Sequence, residues 1–417
     1  MRKRVVITGI GVLSCVGRDK QTFWDSVKRG RSGIKRITRF DPSNLSVQIA
    51  GEVRNFDPTL FMGKKLARRT DRLEQYGIAA TDLAIQDAHI DLSKIDTERA
   101  AVFMGTAVAG GEMIEKQHLL YIEKGPRRIS PFLSTAFYSD SCVAQIGIMF
   151  GLKGGNVTVS GACASSATAV AYACDRIREG YLDVIFAGGV ETPIIGMFIA
   201  AVSKTGAMST RNDEPEKASR PFDAGRNGFV LSEGSCVLVL EELSHALARG
   251  ARIYAELAGV GMTTDAYSMT SPNPDTIQSS RAVQMALSDA NFGWENFREI
   301  DYINAHGSST LLNDIVETKM IKEVFSKKAY DIPISSTKSI YGHSMGAAGA
   351  MDLAVCCLAI KNSIIPPTIN YEVVDPGCDL DYVPNVGRKA NLEWVLSNAF
   401  GFGGHNTCIV LRKIKNG

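Results

Sequence analysis

Cys163 stands in the run Val159-Ser160-Gly161-Ala162-Cys163-Ala164-Ser165-Ser166-Ala167, a setting in which a thiol can act as a nucleophile. Residues Asn156 to Ser160 alternate like a strand, and Ala164 to Glu179 read as an Ala-rich helix stopped by Gly180. The Cys therefore falls in the first helical turn, where unpaired N–H groups and the positive end of the dipole converge. A thiol there is expected to have a lowered pKa, and the thiolate is the attacking species. Small neighbours leave room beside the sulfur for a substrate and for backbone donors. The plainer alternative is a buried Cys used as a small apolar side chain.

Two of the six histidines sit in matching surroundings. His306 lies in Asn304-Ala305-His306-Gly307-Ser308-Ser309-Thr310, and His343 in Tyr341-Gly342-His343-Ser344-Met345-Gly346. Each follows a strand-like run and has Gly beside it, which lets a ligand approach the backbone. His89, His118 and His245 fall in amphipathic helical stretches and read as surface residues, while His405 follows a Gly-rich turn and stays ambiguous. A Cys with two His raises three chemistries. Zinc would need three or four ligands in a tetrahedral shell, and no others stand at recognisable spacing, so no metal is expected. A protease-like Cys–His pair would use His as base and Asn as orienter. A third reading pairs both histidines with Lys338, in Ser336-Thr337-Lys338-Ser339. A charge placed after a buried-looking strand needs a partner; a surface lysine is the ordinary alternative.

The elements that must position these residues alternate along the chain. Strand-like runs cover Val5 to Gly11, Ala100 to Met104, Asn156 to Ser160, Asp183 to Ala187, Cys236 to Glu241, Ala255 to Val260, Tyr302 to Ala305, Ile332 to Ser335 and Thr407 to Arg412. Helical stretches cover Thr22 to Arg29, Gln75 to Ala88, Ala164 to Glu179, Ser279 to Ala290, Asp314 to Phe325 and Ala347 to Ile360. This alternation predicts an α/β protein with helix-covered sheets. Val5-Val6-Ile7-Thr8-Gly9-Ile10-Gly11 is echoed weakly by Ile253-Tyr254-Ala255-Glu256-Leu257-Ala258-Gly259-Val260-Gly261. The echo suggests, without by itself establishing, a duplication with its seam near Gly250: residues 1–250 carry the Cys, and 251–417 carry the two His and the Lys.

Composition removes other classes. The formal net charge of +2 leaves no global basic field, so no nucleic-acid partner is expected. The nine cysteines are an odd number without a CxxC pair, which fits a reducing compartment and a cytoplasmic protein. Met1-Arg2-Lys3-Arg4 and the following apolar run resemble a signal peptide, but Gly9 and Gly11 break the run, which reads better as a strand. No stretch looks long enough to span a membrane. The glycine segments contain no GxxxxGK[ST] arrangement and no strand-linked GxGxxG, so a nucleotide-phosphate loop is not expected.

Four ordered motifs carry a family resemblance: Gly161-Ala162-Cys163-Ala164-Ser165, Asn304-Ala305-His306-Gly307, Ser336-Thr337-Lys338-Ser339 with Gly342-His343, and Asn398-Ala399-Phe400-Gly401-Phe402-Gly403-Gly404. Together they resemble the β-ketoacyl-acyl-carrier-protein synthases, and more narrowly the elongating synthase II type with its Cys–His–His centre. The similarity runs nearly end to end, through Ser209-Thr210-Arg211-Asn212, Arg220-Pro221-Phe222-Asp223, Gly228-Phe229-Val230-Leu231 and Pro366-Pro367-Thr368-Ile369-Asn370. The resemblance implies a thiolase-like fold of two duplicated halves in five αβαβα layers, normally dimeric. It implies a decarboxylative Claisen condensation on malonyl carrier protein, with substrates on the carrier's phosphopantetheine and no bound cofactor.

Residue by residue, the resemblance makes Cys163 the nucleophile and gives His306 and His343 the donation of N–H bonds to the enolate. Backbone N–H groups of Cys163 and Phe400 form a second oxyanion hole, and Lys338 supplies fixed charge. Asp352 holds that network where many relatives have Glu. Ser308 and Thr310 hydrogen-bond the phosphopantetheine arm; many relatives have Thr at the first of these, and Pro where Leu311 stands here. Phe229 and Phe400 wall the acyl pocket, with core packing as their plain alternative. Val108 and the segment Phe132 to Phe137 line the pocket's end near the dimer interface. An acidic carrier is steered by Lys64, Lys65, Arg68, Arg69, Arg127, Arg128 and Arg211, each of which alone reads as a solvated face. A degradative thiolase would use a second, late Cys, but Cys408 lies in a strand-like run. An initiating synthase would have Asn at His343, and a non-catalytic chain-length subunit would lack Cys163. Asn313-Asp314-Ile315-Val316-Glu317-Thr318 also resembles ketosynthases of type II polyketide or polyene assembly lines, so fatty-acid and polyketide extension both stay open, as do homodimer and heterodimer with a ketosynthase-like partner.

Overall fold

The structure, a computed structural model, describes residues 2–291 and 299–414. Its first five principal strands are β1 (Val5–Leu13), β2 (Ala100–Gly105), β3 (Asn156–Val159), β4 (Val184–Glu191) and β5 (Gly234–Glu242). The next five are β6 (Ala255–Thr264), β7 (Tyr302–Asn304), β8 (Ile334–Ser335), β9 (Trp394–Gly401) and β10 (His405–Arg412). All ten join one sheet in the order β8-β7-β9-β10-β6-β1-β5-β4-β2-β3. Counted outward from the β6–β1 contact, each half places its first, fifth, fourth, second and third strand in turn. The pairing sense matches too: antiparallel for the inner two pairs of each half and parallel for the outer two. Among the described residues the halves meet edge to edge at Val6↔Glu256 and Ile7↔Ala255, with Tyr254 N–H donating to Ile7 O at 2.8 Å.

Six helices complete the layers: α1 (Arg72–Ala88), α2 (Ser141–Phe150), α3 (Ser165–Arg178), α4 (Ile277–Asp289), α5 (Leu311–Phe325) and α6 (Ala348–Asn362). Ile78 and Ala80 of α1 and Ile146 of α2 cover one face of the first half, against Val102, Phe186 and Val239. Val283 and Leu287 of α4 with Met320 and Ile321 of α5 do the same for the second half, against Ile303, Leu396 and Val410. Between the halves lie α3 and α6, whose Val170, Ile177, Met351, Leu353 and Leu358 share one core with Ile185, Leu238, Val395 and Ile409. The arrangement is therefore the five-layer αβαβα, thiolase-like α/β fold. Strands covered on both faces have no wet side, which is why β4 is buried throughout and reads as a run rather than an alternation.

One expectation from sequence is corrected. The stretch Met345–Asn362 is long and apolar enough to cross a membrane by length and composition, contrary to the expectation that none is. Its window is 89% buried because α6 is apolar on every side toward two sheet halves. The strand pattern in the sequence does not mark β9, nor the helical pattern α2, whereas the helix at Gly111–Lys124 carries His118 as expected. The polar Asn398 and the glycines mask the strand pattern of β9, whose partner β10 holds it in an eight-residue ladder from Trp394↔Arg412 to Gly401↔His405.

Candidate active site

The chain leaves β3, makes one tight turn over Ala162–Ala164 and enters α3. Ala162 takes φ +48°, a left-handed conformation that a small side chain tolerates best. Two neighbouring glycines let backbone close on this turn. A Cβ on Gly105, at the end of β2, would meet Ser165 C and Ser166 N at 2.3 Å, and one on Gly401 would meet Gly161 O at 2.6 Å. Cys163 is thereby presented at the base of a cavity with 7% of its surface exposed.

The thiol does not have the lowered pKa expected from a helix start. Burial pushes it up to about 11, and Glu191 adds to the rise; the backbone N–H of Phe402 and the charge of Lys338 pull the other way. Desolvation of the thiolate outweighs these favourable partners. Glu191, at the end of β4, is itself fully buried. Its carboxylate accepts from the N–H groups of Ala107 (2.7 Å), Val108 (3.0 Å) and Gly346 (2.9 Å) and from Thr106 Oγ1 (3.1 Å). Burial pushes it up to about 7 against those hydrogen bonds.

The second half supplies the imidazoles. His306 follows β7, and its turn is held from beneath by Glu317 of α5. Glu317 accepts the N–H of His306 at 2.9 Å, that of Gly307 at 2.8 Å and Asn398 Nδ2 at 3.1 Å. His343 follows a one-turn helix, Lys338–Tyr341, and Gly342. Its N–H donates to Val230 O at 2.7 Å. The two rings stand nearly perpendicular, with centroids 5.3 Å apart at 83°. Phe229 meets His343 edge-on at 5.5 Å, and Phe400 lies 5.9 Å from His306. Burial, then the Lys338 charge, holds His306 well below its ordinary 6.5 and brings His343 to about 3. Both rings are neutral near pH 7, and among the described residues His343 Nδ1 is buried with no hydrogen-bond partner.

Lys338 is 1% exposed and donates from Nζ to Asp352 Oδ2 at 2.6 Å, so it is not a surface lysine. Tyr341 donates its hydroxyl to the other oxygen, Oδ1, also at 2.6 Å. Neither Lys338 nor Asp352 lines the cavity; they stand behind the imidazoles. The cavity, of ≈ 420 Å³, is lined by Cys163, His306, His343, Ser308, Thr310, Phe229 and Phe400. Ser308 Oγ and Thr310 Oγ1 are 3.1 Å apart, forming a hydroxyl pair on one wall. Asn227, Phe198 and Phe402 also face the space, and sequence reading had not assigned them.

Some expected positions lie elsewhere. Val108 does not line the cavity but packs with Phe198 and Met345, which do. The segment 132–137 also stands outside it, with Phe137 62% exposed at the surface. Lys64, Lys65, Arg68, Arg69, Arg127 and Arg128 are exposed. Arg69 lies over the Phe132 ring at 5.3 Å, which brings the first basic cluster beside the segment that follows the second. Arg211 is half-buried and donates to Gly225 O at 2.9 Å, a structural use of at least part of its guanidinium. Glu191, Glu317 and Tyr341 were not given roles from sequence. The signal available was a charge closing an apolar run at Val190-Glu191 and a Glu eleven residues after His306.

Known proteins bear on this arrangement. The family described as β-ketoacyl synthase, N-terminal domain, matches residues 2–246, and its C-terminal domain matches 254–372. The chain is 42% identical to 3-oxoacyl-[acyl-carrier-protein] synthase 2 of a Synechocystis strain over 412 residues, 99% of this chain and 98% of that one. It is 43% identical to the protein of the same name from Staphylococcus aureus strain COL over 413 residues, 99% of each. Among solved structures, it is similar to a type II PKS ketosynthase in complex with its acyl-carrier protein, with TM-score 0.92, 34% identity and 100% of both chains covered. A β-ketoacyl synthase from Burkholderia phymatum superposes with TM-score 0.90 at 34% identity, over 99% of this chain and 100% of that one.

Proposed function

This chain belongs to the β-ketoacyl synthase family, and from that premise we propose that it extends fatty acyl chains on acyl carrier protein by decarboxylative Claisen condensation. It is an acyltransferase, and the observation that carries the reaction is the crossed pair of neutral imidazoles facing the cavity of Cys163.

In the first half-reaction the Cys163 sulfur attacks the acyl thioester. The S–C bond to the enzyme forms, the bond to the carrier breaks, and the thiol proton ends on the departing carrier thiol. A thiol pushed up to about 11 needs a proton acceptor at the moment of attack. The departing carrier sulfur is that acceptor, and the Phe402 N–H and the Lys338 charge favour the thiolate as it develops. The N–H groups of Cys163 and Phe402 receive the tetrahedral oxyanion; the N–H beside the sulfur is that of Phe402, which replaces the Phe400 N–H expected from the resemblance. In the second half-reaction the malonyl C–C bond breaks, carbon dioxide leaves, and the electron pair enters an enolate. His306 and His343, each neutral and so each carrying one N–H, donate to the enolate oxygen. Preorganised donors of this type contribute roughly 3 kcal/mol each. The enolate carbon then attacks the acyl carbon and expels Cys163, which takes up the proton that the overall reaction consumes. Ser308 and Thr310 hold the phosphopantetheine arm, and Phe229 and Phe400 wall the acyl chain.

Substrate delivery falls to acyl carrier protein, docked on Lys64, Lys65, Arg68, Arg69, Arg127 and Arg128, whose exposure supports the assignment; Arg211 contributes less. We place two chains in a homodimer through β3, an edge strand whose Asn156 and Val157 are exposed. The cytoplasm is the fitting location, since all nine cysteines are free. A second reading, the catalytic subunit of a type II polyketide line paired with a ketosynthase-like partner, is favoured by the likeness to the type II PKS ketosynthase and the ishigamide ketosynthase/chain length factor. Intact-protein mass spectrometry with a panel of acyl carrier proteins, then malonyl carrier protein, tests both. One two-carbon extension supports the first reading, and repeated extension without reduction the second. No acylation of the folded protein overturns the first reading, and no acylation in the presence of a ketosynthase-like partner overturns the second.

A further inference from the structure

We propose that Tyr341 is a positioning residue for the condensation, gripping Asp352 so that a short carboxylate can hold Lys338 behind the histidines. This deepens the function proposed above and rests on it. Three groups converge on one buried point. Lys338 Nζ donates to Asp352 Oδ2 at 2.6 Å, and Tyr341 OH donates to Oδ1 at 2.6 Å. Thr337 Oγ1 lies 2.8 Å from the same hydroxyl and completes a chain from Thr337 through Tyr341 to the carboxylate. All four side chains are about 1% exposed or less.

The geometry explains why the two residues belong together. Lys338 and Tyr341 are the two ends of one helical turn, three residues apart, so both reach Asp352 on α6 from the same side. An Asp side chain is one methylene shorter than the Glu of many relatives. The Tyr hydroxyl occupies the room a longer carboxylate would take and satisfies the oxygen that faces away from Lys338. Phe23 packs on the Tyr341 ring at 5.6 Å, and the Cys15 thiol donates to the Tyr341 carbonyl at 3.4 Å, so the residue is fixed at both ends. A buried carboxylate with one oxygen unpaired would rotate toward another donor and take the ammonium with it. The Lys338 charge helps lower the proton affinity of His306 and His343 and offsets part of the rise at Cys163, so moving it acts on all three reacting groups.

The test uses the full-length protein carrying Tyr341→Phe, Asp352→Glu, or Asp352→Glu with Tyr341→Thr. For Tyr341→Phe we expect about a ten-fold lower kcat for condensation, KM for malonyl carrier protein within two-fold, and an acid limb of kcat/KM moved toward neutral pH. Asp352→Glu alone is expected to lose activity by overpacking against the Tyr ring. The double variant is expected to recover at least half the wild-type kcat, because the longer carboxylate fills the vacated room. The pH dependence of Cys163 alkylation by iodoacetamide, followed by intact mass, is read in parallel and needs no turnover. A role limited to packing would leave kcat, the acid limb and the alkylation profile of Tyr341→Phe at wild-type values with only the melting temperature lowered, and that result overturns the proposal. So does a double variant no better than either single one. Wild-type protein that never condenses malonyl carrier protein refutes the function instead, while the alkylation profiles still decide the role of Tyr341.

Discussion

The turns that the two halves bring to the cavity are held by different physics. The Cys163 turn, from the first half, is fixed mainly by close approach: Gly105 and Gly401 let backbone touch backbone, and Ala162 and Ala164 keep the sulfur's surroundings small. The His306 and His343 turns, from the second half, are fixed by buried carboxylates: Glu317 beneath the first, and Asp352 through Lys338 and Tyr341 beside the second. The same strand order thus supports a nucleophile that tolerates no added volume and a donor pair that tolerates no lost charge or hydrogen bond. The division suits the chemistry. A thiol needs space and a nearby N–H, whereas two neutral imidazoles need rigid orientation and a fixed cation to keep them unprotonated.

Breaking the first turn gives the largest effect. Cys163→Ala is expected to abolish acyl-enzyme formation, with no mass increase after incubation with any acyl carrier protein. Gly401→Val places side-chain atoms where even a Cβ would lie 2.6 Å from Gly161 O. Its acylation should fall by more than about 100-fold, or the soluble yield should collapse, since such overpacking typically costs roughly 1–3 kcal/mol or more. Normal acylation by this variant would show that the turn is not set by close packing.

Breaking the second turn gives an intermediate effect of another kind. Glu317→Ala leaves the N–H groups of His306 and Gly307 without their acceptor. Denaturant unfolding should show a loss of about 1–3 kcal/mol, and condensation should drop more than acylation, because Cys163 keeps its own supports. Equal loss in both half-reactions would erase the distinction between the turns.

The pH dependence sharpens the same contrast. His343 falls from 6.5 to about 3 on folding, so the unfolded chain binds more protons below 6.5. The stability this side chain gives at neutral pH is therefore lost as pH falls from about 6.5 toward 3. The deficit of His343→Ala relative to wild type should shrink at pH 5.5 compared with pH 7.5, by about 1.4 kcal/mol per unit below 6.5, while wild-type condensation shows no acid limb at 6.5. The smallest effect lies outside both turns. Lys64→Glu with Arg68→Glu should raise KM for the carrier by roughly ten-fold at low salt, with kcat unchanged and the difference gone in high salt.

The sequence alone determined the alternating α/β order, the repeated opening strand and the residue types of the site, because periodicity, glycine placement and small residues around Cys163 are local signals. Cys163, His306, His343, Phe229, Phe400, Ser308 and Thr310, each named from its motif, line one cavity. Tertiary structure alone decided the rest. The proton affinity of Cys163 was misread because the dipole of its helix is written locally, whereas burial, which pushes the thiol up to about 11, comes from segments far along the chain. α6 reads as a membrane-length apolar stretch, and only packing between two sheet halves makes it a core helix. Glu191, Glu317 and Tyr341 carry no local mark of their tasks: a buried acceptor is recognised by the N–H groups it meets, and those meet it only after the strands that carry them have joined.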